Sequence, residues 1–404
     1  MGATMLGIGA GLDHVFGGPD AENQQLPKVA NPEVPFYGTH QAGIATPSQD
    51  FLSFAAFDIT SSSIDDLRDV LKQWTAATAA LAAGRPYGLS EEGADVAPTD
   101  TGEAFGTGPS RLTITFGFGP GLLGSLAEDR FGFARKRPHH LADLPGFRGE
   151  SLDPKRSGGD VCAQACADDP QVAFHAIHVL ARLASGAATL RWTQQGFGRT
   201  SSTSREQPTP RNLMGFKDGT NNLRVEEERE MNKHVWVQRG DGPDWMKGGT
   251  YMVVRRIKIL LDVWDTTSIE GQERAVGREK VSGAPLGRDG EHDAVDLKAK
   301  KNGELSIPAN AHIRLASPEV NGDQRILRRG FSYNEPSLAG SGQLDAGLFF
   351  ICFQRDPRRQ FVPIQRRLAA SDALGRHLLH TGSGVFACPS GASRGGFIGE
   401  GLFA

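Results

Sequence analysis

Apolar and polar positions alternate in two distinct rhythms through the first half of the chain. FLSFAAFDIT (51–60) is a mostly apolar, buried-strand run. The next segment, SSSIDDLRDVLKQWTAATAALAAG, instead places Leu67, Val70, Leu71, Trp74, Ala77 and Leu81 at helical spacing. Ser63 with Asp66 three residues on has the form of a capping box, and Gly84 closes the run. RLTITFGFG (111–119) reads as a second strand and DVCAQAC (160–166) as a third. DDPQVAFHAIHVLARLASG then reads as a helix and ATLRWTQQGFG (188–198) as a fourth strand. The order β-α-β-β-α-β is the split βαβ, or ferredoxin-like, motif.

The second half repeats that order more loosely. YMVVRRIKILLDVW (251–264) is a strand run, and Thr267 with Glu270 offers a capping box for the helix after it. HIRLA (312–316) and GLFFICFQRD (347–356) read as short strands, and FVPIQRRLAA and ALGRHLLH as late helical material. The expected fold class is therefore α+β: two ferredoxin-like halves, antiparallel sheets with peripheral helices. The expected division is an N-terminal arm over 1–34, a first domain over 35–205 and a second over 206–404, joined near the polar stretch RTSSTSREQPTPRN. A polar, Gly-rich insertion over 277–310 is too long for a plain connection, and such loops cover a site or shape its entrance.

Composition narrows the function classes. A net charge of -3, from 44 basic and 47 acidic residues, gives no basic excess that would mark nucleic acid as the partner. Four cysteines in 404 residues are too few for a disulfide scaffold. Cys162 and Cys166, on one face of a strand, stand about 13 Å apart and cannot pair. No CxxC, CxxCH or HExxH occurs, so a zinc ribbon, covalent haem attachment and a zincin site have no support. The opening MGATMLGIGAGLDHVF is apolar but too short to span a bilayer, and no integral membrane segment is expected. It reads either as the tail of a secretion signal or as a loose arm; no Lys or Arg precedes Lys28.

Four segments could carry chemistry. In LMGFKDGTNN (213–222), Gly215 and Gly219 flank Asp218 and would allow close approach to a flat ligand, although a DG pair alone reads first as a turn. His312 lies in an apolar run, as a core residue or a ligand. RILRRGFSYNE (325–335) pairs Arg328 with Arg329 among apolar residues, so one can point inward and would then need an anion. Asp345, just before an apolar strand, could accept a hydrogen bond from a ligand histidine and make it a stronger donor.

Together these pieces resemble the dye-decolourising (DyP-type) haem peroxidases, especially their exported deferrochelatase/peroxidase branch. PFYGTHQAGIATP (35–47), RWTQQGF, NLMGFKDGT, GGTYMVVRRIKI, GAPLGRDGEHD, AHIRLASP, LRRGFSY and SGQLDAGLFFICFQRD occur in family order. The resemblance implies non-covalent haem b in the C-terminal half, with His312 as the iron's proximal ligand and Asp345 behind it. It makes Asp218 the distal acid–base residue and Arg328 the distal arginine, with Arg329 second choice; Gly219, Thr220 and Arg329 would help bind the cofactor. Asn222 departs from the proline common in relatives, a difference expected to affect loop stiffness. The implied activity is hydrogen-peroxide-driven oxidation of dyes, phenolics or other bulky donors through a ferryl intermediate. Electrons would enter through Trp192, Trp236, Trp245, Trp264, Tyr251 or Tyr333, unless these simply fill the core. Release of iron from haem and non-catalytic haem carriage are the alternatives. Export by the twin-arginine route is implied, with the cytoplasm as the alternative because no twin-arginine pair is visible; a homo-oligomer is left open.

Overall fold

The structure, a computed structural model, describes residues 32–88, 98–336, 342 and 344–404. The N-terminal secretion-signal reading therefore falls almost wholly outside the described residues.

The first half forms β1 (Phe51–Ile59), α1 (Ile64–Ala82), β2 (Thr113–Phe118), β3 (Val161–Ala167), α2 (Pro170–Leu183) and β4 (Ala188–Arg199). The six spaced residues of α1 are all buried. Ser63 caps the helix by accepting from the Asp66 amide at 3.2 Å, while the Asp66 carboxylate takes the Ser61 hydroxyl instead of closing the box. The second half forms β5 (Thr250–Ile259), α3 (Ile269–Val276), α4 (His312–Leu315), β6 (Leu327–Arg328), β7 (Phe331–Glu335), β8 (Asp345–Gln354), α5 (Phe361–Ser371) and β9 (Leu378–Cys388). Against β8, β6 and β7 keep one register, from Cys352 opposite Arg328 to Phe349 opposite Phe331, so they are a single strand interrupted at Arg329 and Gly330.

Spatial order is β4-β1-β3-β2 in the first half and β9-β5-β8-β7 in the second, the same ferredoxin-like arrangement twice. The halves join where β4 pairs β7 and β2 pairs β9, which closes the main strands among the described residues into an antiparallel barrel. Period-two alternation then sends one set of side chains inward and the other outward. Leu52, Phe54, Trp192, Met252, Phe331, Phe349 and Phe386 fill the interior with Cys162 and Cys166, which are free thiols. The outward set of the first half is roofed by α1 and α2.

Three expectations in the second half are corrected. HIRLA is the short helix α4 and not a strand; a five-residue apolar run is too short for its period to decide. LLDVW turns into a helix over Leu261–Asp265, which moves the next cap from Thr267 to Ser268, whose hydroxyl accepts from the Gly271 amide. HLLH begins β9, a strand masked in the sequence by Gly382 and Gly384. A Cβ on Gly382 would stand 2.6 Å from the Arg156 carbonyl oxygen, so glycine there marks a close approach of backbones.

Candidate functional site

The outward face of the second-half sheet is not roofed but hollow. A cavity of about 850 Å³ lies between Ile257 and Ile259 of β5, Leu348 and Phe350 of β8, and the α5 residues Phe361, Ile364 and Leu368. His312, Asp218, Gly219, Thr220 and Arg328 all line it.

His312 enters at the first turn of α4. Its Nδ1 donates to Asp372 Oδ2 at 2.6 Å, since a carboxylate can only accept, and this leaves Nε2 for the cavity. Asp372 ends α5, is 5% exposed, and is itself held by the Leu374 amide on Oδ1 at 2.9 Å. The Ala373 amide donates to the Asn310 carbonyl at 3.0 Å, which ties the two segments together beside the pair. Burial alone would keep the ring neutral. Asp372 outweighs that and lifts its proton affinity above the usual imidazole range, with Asp218 adding and Arg328 opposing. His312 is surrounded by protein, yet a third of its side-chain surface is free, and that surface is cavity wall.

Asp345 is corrected. Its Oδ2 accepts from Arg256 at 2.9 Å, inside one end of the barrel with Glu335 and Gln194, so it is Asp372 that stands behind His312. Sequence reasoning missed Asp372 because only the fold brings position 372 to position 312; a helix-ending Ser-Asp is a local cap signal and no more.

The paired arginines separate by strand alternation. Arg328 points outward to the cavity, where Nη1 donates to Asp218 Oδ1 at 2.8 Å. Arg329 points inward, fully buried, to the Thr46 carbonyl and Gln49 Oε1, so its expected place at the cofactor is corrected. Arg255 and Arg256 split the same way. Arg255 reaches Glu150, Ser383 and His380 at the cavity wall, and Arg256 the barrel interior. Burial and the Arg255 charge hold His380 neutral, down to about 3.

An asparagine stands behind each of Asp218 and Arg328. Asn212 Nδ2 donates to Asp218 Oδ2 at 3.2 Å while its Oδ1 accepts from the Met214 amide at 3.0 Å. Asn222, expected to bear on loop stiffness more than on chemistry, holds both backbone groups of Arg328. Gly219 has φ of +92°, and a Cβ there would stand 2.9 Å from Ser201 Cα, so no larger residue fits. The insertion over 277–310 covers the site as expected. Glu291 takes Lys217 and, at 3.1 Å, the Thr220 hydroxyl, and Arg278 joins the cavity wall. The six candidate electron-transfer aromatics are all buried, and Trp236 stacks on His40 at 3.7 Å.

Comparison with known proteins fits this geometry. The profile described as Dyp-type peroxidase, N-terminal, matches residues 41–198, and that described as Dyp-type peroxidase, C-terminal, matches 209–393. The chain belongs to the Dyp-type peroxidase family. It is 39% identical to a dye-decolorizing peroxidase of Thermobifida fusca, across 95% of this chain and 88% of that protein. It is 35% identical to a deferrochelatase of Escherichia coli K12, across 100% of this chain and 95% of the relative. The solved structure of ferric DtpA from Streptomyces lividans superposes with a TM-score of 0.84 at 39% identity, covering 93% of this chain and 98% of that one. The protein is a peroxidase, and its cofactor is haem.

The cavity suits that group. It offers an apolar floor, a histidine with one ring nitrogen engaged and the other open, and Arg148, Arg325 and Arg376 around it for anionic substituents. Among the described residues no three His, Cys, Asp or Glu converge to hold a bare ion. Of the two imidazoles on the wall, His312 has its Nδ1 on a carboxylate, whereas His380 Nδ1 takes the Arg255 Nε–H.

Proposed function

We propose that the site reacts hydrogen peroxide with haem held by His312, with Asp218 and Arg328 acting on the peroxide. Bound haem supplies the iron that exchanges electrons with peroxide. Asp218 accepts the proton that peroxide sheds from one oxygen and returns it to the other, which becomes the leaving group. Arg328 cannot lose its own proton, so its fixed charge steadies the negative charge that builds as the O–O bond breaks. Asp372, by taking the Nδ1 proton of His312, fixes the tautomer and strengthens the imidazole as a donor. Thr220 and Gly219 shape the wall beside Asp218.

The observation that supports this reading most is the 2.8 Å pair of Asp218 and Arg328 in one cavity with a carboxylate-backed histidine. Arg328→Ala and Asp218→Ala should each slow the peroxide reaction about 10²–10³-fold with haem loading unchanged. Stopped-flow absorbance checks it, and two variants as fast as the parent would refute the assignment.

The donors we propose are dyes, phenolics and similar one-electron reductants too bulky for the cavity, which give up electrons at the surface. Export is the proposed destination, on the resemblance to the exported branch; host-cell fractionation tests it. Iron release from haem is the second reading, favoured by the name deferrochelatase carried by a relative that aligns along the whole chain. Incubation with haem followed by detection of metal-free porphyrin separates it from peroxidase action.

A further inference from the structure

We propose that Asn222 is a positioning residue that fixes where Arg328 stands relative to Asp218. This rests on the reading of Arg328 and Asp218 given above.

The argument starts from the strand edge. Arg328 lies opposite Cys352 of β8, but the bond to β8 at this point is made by the next residue, the Arg329 amide to the Ile351 carbonyl at 2.8 Å. In an antiparallel pair this alternation turns the N–H and C=O of Arg328 away from β8, towards the other edge. On that edge β4 has already ended at Arg199, and the last ladder contact is the Thr200 amide on the Gly330 carbonyl at 2.9 Å. Among the described residues no strand is left to take the two backbone groups of Arg328.

The side chain of Asn222 takes both. Its Oδ1 accepts from the Arg328 amide at 2.9 Å and its Nδ2 donates to the Arg328 carbonyl at 2.9 Å, as a neighbouring strand would. The amide orientation is forced, because only oxygen can face the N–H and only nitrogen the carbonyl. Nδ2 also donates to the Ser202 carbonyl at 3.1 Å, and the Asn222 amide closes a turn onto the Gly219 carbonyl at 3.0 Å. Asn222 is 3% exposed. One residue therefore belongs to the loop that carries Asp218 and grips the backbone that carries Arg328. The Asp218–Arg328 separation depends on it without Asn222 touching either carboxylate or guanidinium.

Asn222→Asp keeps the shape and the acceptor but sets a carboxylate against two carbonyls; Asn222→Ala removes both bonds. Both holoenzymes should keep the haem absorption band of the parent, since His312 and Asp372 are elsewhere. Both should react with peroxide about 10-fold to 10²-fold more slowly, the scale of a misplaced catalytic group. Two readouts separate positioning from general loosening. Amide hydrogen exchange at Arg328 should rise in Asn222→Ala, which removes the acceptor of that amide, and rise less in Asn222→Asp, which keeps one. The double variant Asn222→Ala/Arg328→Ala should be no slower than Arg328→Ala alone, because Asn222 acts only through Arg328. If Asn222→Ala does not fold, the Asn222→Asp/Arg328→Ala pair carries the same test. An unslowed Asn222→Asp, or losses that add in the double variant, overturns the proposal. An unslowed Arg328→Ala would instead overturn the functional reading on which it rests.

Discussion

The two halves of the barrel share one strand order and treat its outer face in opposite ways. In the first half, α1 and α2 run for 19 and 14 residues and cover the sheet. Trp74 is 1% exposed between Phe57 and Phe116, and its indole N–H donates to the Leu180 carbonyl. In the second half the corresponding α3 and α5 run for 8 and 11 residues, too short to roof the same area. The outward strand positions there include Arg255, Arg328 and His380 among Ile257, Leu348 and Phe350. The same fold thus gives a solid core on one side and a polar-walled cavity on the other. What differs is helix length and the few charges that hollow space can carry when each has a partner.

The largest expected break of this comparison is in stability. Trp74→Ala should cost about 3–5 kcal/mol, as truncation of a packed aromatic does, whereas Leu348→Ala in the haem-free protein should cost about 1 kcal/mol or less because its side chain already borders a void. Equal shifts in denaturant midpoint would remove the distinction between a filled and a hollow half.

Much of the filled half could be read from the chain. Leu67 to Leu81 hold an uninterrupted helical period, and Ser63 announces its start. The hollow half was less legible because its elements are short and its partners distant. His312 has too few neighbours to show a period, and β9 hides behind Gly384 and behind Gly382, which its contact with Arg156 requires. Asp218, Arg328 and His312 were found through resemblance and meet in one cavity. Asp372 carries no sequence mark of its partner, and Asp345, chosen in its place, serves the barrel interior. The Arg328/Arg329 choice resolves once the pair is known to lie on a strand, where neighbours face opposite ways.

That correction gives the next prediction. Asp372→Asn should weaken haem binding about 10–100-fold, while Asp345→Asn should leave it within about twofold, since only Asp372 touches the His312 imidazole. Equal losses in a haem titration would show that the two carboxylates are not divided between site and scaffold.

The smallest effect tests the filled half. Burial raises the Glu103 carboxyl, but the hydrogen bonds from Thr101, His175 and His178 more than offset this and hold it down at about 2, below its usual 4.5. A carboxyl depressed by folding stabilises above its unfolded value and loses that contribution as pH falls through the folded one. The window is therefore about pH 4.5 to 2. Glu103→Gln should remove on the order of 1 kcal/mol at neutral pH, after allowance for solvent screening, and flatten acid unfolding across that window. An unchanged acid limb would contradict it.

The central claim is that the hollow half holds haem through His312. Haem titration of His312→Ala, followed by addition of free imidazole, tests it most directly. The account predicts that the haem absorption band is lost or strongly shifted in the variant and recovers as imidazole occupies the vacated place beside Asp372. A variant that binds haem with the parent's affinity and spectrum, indifferent to imidazole, would contradict it.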